Sequence, residues 1–96
     1  MTTPKIPKAE EDAATAAYGW LMDFAHAAVR RFDAAEERDK TAAAANAAKA
    51  CRVVVATARD RGHRAVAHVY EQIALSYQDE ASVREQQAQR HISRPH

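Results

Sequence analysis

The chain has 96 residues, 24 of them alanine and two glycine, with 14 Lys and Arg set against 13 Asp and Glu. That length makes one domain, and a formal net charge of +1 argues against a polybasic nucleic-acid or membrane-surface protein. The longest apolar run, Val53-Val54-Val55-Ala56, is far short of the roughly 20 residues that span a membrane.

The start of the chain has no signal-peptide core, and the single cysteine, Cys51, excludes an internal disulfide. A soluble cytoplasmic protein is expected. About half of the 47% hydrophobic content is alanine. An alanine core gains little at roughly 25 cal/mol per Å² of apolar area, and small domains are marginal to begin with. Close helix packing and a second subunit are therefore expected. The near-neutral total hides an asymmetry. Residues 10–39 carry eight acids and three bases, and residues 40–64 carry six bases and one acid.

Residues 1–8, with Pro4 and Pro7, read as a disordered lead-in. No proline then occurs between Ala9 and His91. From Ala9 the pattern is helical. Ala14, Tyr18, Leu21, Ala25, Ala28, Phe32 and Ala35 step by four and three, which keeps them on one side of a helix. The polar cluster Glu36-Glu37-Arg38-Asp39-Lys40-Thr41 marks a boundary, with Asp39 or Thr41 as the cap of a second helix. One uninterrupted helix through this point is the alternative, because no residue there forces a break.

The second helix is expected to run to about Arg61, with Ala44, Ala47, Ala48, Cys51, Val54, Val55 and Ala58 on one face. Gly62 is its stop signal, a left-handed residue just past the helix end. The third helix starts near His63 with Val66, Val69, Tyr70, Ile73, Ala74, Tyr77 and Ala81 on its apolar face. That face continues as Arg84, Gln87, Ala88 and His91, so the last turns have lost their core and should protrude, fray or meet something else. Residues 92–96 read as a tail. The expected fold is all-α, an antiparallel three-helix bundle or a long helical hairpin with a short third-helix extension, built by alanine packing over residues 9–91.

The first helix has a wider apolar arc than one neighbour requires. Ala13, Trp20, Phe24, Ala27 and Ala34 form a second strip beside the main stripe. Either this helix sits centrally between the other two, or the strip is a partner surface anchored by Trp20. The candidate contact residues are Trp20, Phe24 and Ala27, with Arg31 at the rim.

Catalytic and metal chemistry find little support. Asp23-x-x-His26 and His68-x-x-Glu71 set an imidazole and a carboxylate one turn apart, as di-iron bundles do with Glu-x-x-His. Both pairs fall on faces away from the apolar stripes and read as exposed polar residues; no metal or cofactor is expected. Cys51 lies within an apolar stripe, where a free thiol behaves as a small hydrophobe. There is no phosphate-cradling glycine loop, no Cys-x-x-Cys and no nucleophile elbow. An enzyme is not expected, and no motif places the chain in a known family.

The remaining clue is electrostatic. Lys49, Arg52 and Arg59 share a flank of the second helix, and Arg61, His63 and Arg64 continue it around Gly62. Lys49, Arg52, Arg59, Arg61 and Arg64 are candidate phosphate-binding residues for a small nucleic-acid-binding regulator. Against that, the third helix is poor in arginine on its outer face, and the acidic first helix is the expected partner of the basic flank, within the chain or across a dimer. The leading expectation is a non-catalytic helical interaction module with an adaptor or regulatory role. Its partner is a second copy of the chain or another helical protein.

Overall fold

The computed structural model describes residues 5–93, with side-chain surroundings for residues 5–90. The first four residues of the expected lead-in, the His91 side chain and the tail from 94 lie outside them. Three helices follow in order: α1 (Lys8–Ala34), α2 (Lys40–Asp60) and α3 (Arg64–Ser93), with a 3₁₀ turn at Glu37–Asp39 between the first two. Successive helices run antiparallel as a three-helix bundle, and the described residues contain no strand.

The helix ends follow from local chemistry. Glu10 and Glu11 occupy the first turn of α1, where negative charge meets the positive end of the helix dipole. The chain leaves α1 in extended conformation at Ala35 and Glu36, so the uninterrupted helix through residues 36–41 does not form. Lys40 holds this break. Its Nζ donates to the carbonyl of Phe32 at 2.8 Å and lies 4.4 Å above the Phe32 ring, joining a helix-end carbonyl to a cation–π contact. Asp39 does sit just before α2, but its side chain makes no capping hydrogen bond.

At the other end of α2, Gly62 adopts φ +75°. The amide of Gly62 bonds to the carbonyl of Arg59 and that of His63 to Ala58, at 3.1 and 2.8 Å. This pair of bonds is the Schellman closure that a left-handed glycine permits. The stop expected at Gly62 is where the helix ends.

The core is small-residue packing. Ten of the sixteen buried hydrophobic residues are alanines, and α2 supplies eight of the sixteen. The α2 residues expected on one face, from Ala44 to Ala58, are all buried, with Ala50 in addition. The central helix is therefore α2 and not α1. Ala50 looks toward α1 while Val55 looks toward α3, as the residues lining the two grooves beside α2 show. A helix flanked by neighbours on two sides needs small residues around half its circumference, and α2 is the segment that has them.

α1 and α3 run parallel, and their side-chain contacts advance in step. Tyr18 meets His63, His26 meets Tyr70, and Phe32 meets Tyr77. Ile6 packs against the edge of the core, so the described part of the lead-in is not simply loose chain. The far end of α3 departs from the bundle as expected. Residues 85–90 are exposed, and the molecule measures 59 × 26 × 24 Å.

Candidate interaction surface

α1 carries two aromatic sets with opposite fates. Tyr18 is 2% exposed, whereas Trp20, two residues on, is 71% exposed and Phe24 57%. Helical geometry separates them, since positions two apart lie on nearly opposite sides of a helix. A kink intervenes as well. Tyr18 leaves helical conformation at φ −146°, ψ 34°, directly before Gly19, the residue of α1 with the weakest helix preference. Sequence periodicity missed this kink, although Gly19 was its available signal.

Trp20, Phe24 and Arg31 are exposed and Ala27 is half-buried, so the structure leaves all four expected contact residues on the outside. It also extends the strip onto α2. Phe24, Ala28 and Arg31 from α1, with Asn46, Lys49, Ala50 and Val53 from α2, line a groove of about 290 Å³. The groove continues toward Ala35 and Ala43 at the far end of the same helix pair. The cause is the alanine at its floor. Ala28 and Ala50 let the two helices approach closely, and neither has the reach to cover Phe24 or Val53. Val53, half exposed, was a member of this surface that the α1 strip alone did not reveal.

Polar groups of the surface are uncommitted. Among the described residues, Asp23, Arg30 and Arg31 form no ion pair. The surface therefore combines two exposed aromatics, a small-residue floor and charges of both signs without a partner inside the chain.

The basic residues of α2 do not converge on one site. Lys49 lines the α1/α2 groove, whereas Arg52 and Arg59 line a groove on the opposite flank, with Glu71, Leu75 and Gln78 of α3. Arg59 donates to Glu71 at 2.9 Å. Arg61 and Arg64 are exposed around the turn. Among the described residues no ion pair joins α1 to α2. Within the chain, the basic flank therefore pairs with α3, through Arg59 and Glu71, and not with the acidic first helix. Acidic Glu10 of α1 instead accepts the Val66 amide at 2.7 Å, a carboxylate on the open amides at the start of α3.

Two of the histidines, His26 and His63, bridge α1 to α3 and to the turn before it. Tyr18 Oη and His63 Nδ1 are hydrogen-bonded at 2.7 Å, and His26 Nε2 and Tyr70 Oη at 2.8 Å. His26, expected as an exposed polar residue, is exposed and also reaches across to α3. Burial, with the nearby Cys51 thiol and Asp23 carboxylate adding to it, pushes the Tyr70 hydroxyl up to about 12. Burial also raises the Tyr18 hydroxyl and the Cys51 thiol, and a buried thiol of raised pKa is a poor nucleophile. No group of three metal-ligating side chains forms among the described residues. No helix among them is long and apolar enough to cross a membrane.

Comparison with known protein families, with curated proteins and with solved structures finds no match.

Proposed function

We propose that the chain is a non-catalytic, cytoplasmic helical interaction module, acting as an adaptor or regulator, that pairs with a second copy of itself. The contact face is formed by Trp20, Phe24, Ala27 and Arg31 of α1 with Val53 of α2. The observation that carries this reading is the exposure of Trp20 and Phe24 one turn apart on α1, Phe24 at the edge of the α1/α2 groove, in a chain whose buried core contains no tryptophan, phenylalanine or leucine. Leaving the two largest apolar side chains of α1 in water forgoes about 1.5–3 kcal/mol each on burial. Contiguous exposed apolar surface of this kind marks contact with another macromolecule. Interface centres are rich in tryptophan and arginine, and Trp20 and Arg31 lie on the same outer strip of α1.

Solution mass tests the reading. By light scattering at low and high salt, the native chain should have the mass of two copies at both. W20A/F24A should have the mass of one copy with undiminished helicity. A native monomer, or a W20A/F24A protein that still pairs, would sink the proposal.

A further inference from the structure

We infer that the second copy docks by antiparallel pairing of α1 with α1, centred beside position 26, so that Trp20 meets Arg31, Phe24 meets Ala27 and Asp23 meets Arg30 of the other copy. This rests on the self-pairing read above and specifies its geometry.

A helix that packs antiparallel on its own copy about a two-fold axis pairs residues placed symmetrically about one point, and each contact occurs twice. Trp20 and Arg31, Phe24 and Ala27, and Asp23 and Arg30 are three such pairs, and their midpoints fall within one residue of one another. Trp20, Phe24, Ala27 and Arg31 share the outer strip. Asp23 and Arg30 stand together one flank away, since a separation of seven returns to the same side of a helix. The two-fold operation brings that flank against the same flank of the second copy, so each aspartate faces an arginine.

The chemistry of each pair matches. A guanidinium over an indole face is a favourable cation–π arrangement. The small Ala27 accepts the Phe24 ring and permits close helix approach. Asp23 and Arg30 have opposite charges, and neither has an ion-pair partner within its own chain among the described residues. One register thus satisfies the exposed aromatics and the unpaired charges together.

A charge swap tests the register in the full chain. D23R and R30D each place like charges at both symmetric contacts, and each should weaken dimerisation by roughly tenfold. D23R/R30D restores opposite charges in exchanged positions and should recover to within about threefold of the native dimer. A second test uses disulfide trapping in a Cys51→Ala background. Ala27→Cys lies next to the axis and should oxidise to a covalent dimer, whereas Ser76→Cys on α3 should not.

Single swaps without effect, a double swap that fails to recover, or equal trapping at both cysteine positions would overturn the register. If W20A/F24A still abolishes pairing in that event, the interaction face stands and only the geometry falls. A native chain that is monomeric throughout overturns both.

Discussion

Along the α1/α3 seam, Tyr18, Phe32, Tyr70 and Tyr77 are packed into a ladder with His26 and His63 filling polar positions. On the outer side of the same helix, Trp20 and Phe24 are exposed, and Phe24 borders an α1/α2 groove lined by Ala28 and Ala50. The contrast lies in what faces each aromatic. Across the seam, Tyr70 and Tyr77 of α3 reach His26 and Phe32, and His63, just before α3, meets the Tyr18 hydroxyl. Across the groove, the apolar side chains that α2 supplies are Ala43, Ala50 and Val53, too short to close it, and the longer ones there, Asn46 and Lys49, are polar. A large side chain is buried only where its neighbour has reach, and alanine-built helices have reach on few sides.

Substitutions in the two regions should separate them by size of effect. Removing a seam aromatic with Tyr70→Ala should cost about 3–5 kcal/mol of stability, as loss of a buried aromatic does, measured by chemical denaturation. Overfilling the central helix with Ala47→Leu, at a position with no exposure, should cost about 1–3 kcal/mol on the same assay. A tolerated Ala47→Leu would show that the helices are not held at alanine spacing.

Removing only the hydroxyl with Tyr70→Phe should cost about 0.5–1.5 kcal/mol and should change the alkaline behaviour. The folded-state value for Tyr70 lies above the ordinary one, at about 12 against about 10. Its contribution is therefore complete below about pH 10 and is lost as pH rises toward 12. Thermal melts across that window should show a slope in the native chain that Tyr70→Phe reduces.

Trp20→Ala, measured at concentrations where single chains prevail, should change stability by no more than about 0.5 kcal/mol while still weakening self-association. A large loss of monomer stability there would mean that the groove side of α1 is closed in solution and would erase the distinction between the two regions.

Much of the fold was legible in the sequence because helical periodicity is local. The stripe of α2 from Ala44 to Ala58 needed only a spacing rule, and so did the stop at Gly62, where a residue without Cβ is free to take φ +75°. The same rule put Trp20 and Phe24 off the main stripe of α1 but left open whether a neighbouring helix covers them. The loss of an apolar face beyond Ala81 likewise foretold the exposed end of α3.

Other features required the helices to be placed side by side. That α2 is central, that Arg59 pairs with Glu71 rather than with α1, and that His26 reaches Tyr70 are decided by which side chains can span a given gap. Val53 joins Phe24 only because Ala28 and Ala50 bring their helices together from opposite directions. By itself the sequence determined an all-helical chain, the stop at Gly62, the inner faces of its helices and a surplus aromatic strip, because those are properties of one helix at a time. The tertiary structure alone decided which charges find partners and which apolar side chains remain uncovered, because both depend on distances between segments far apart in the chain.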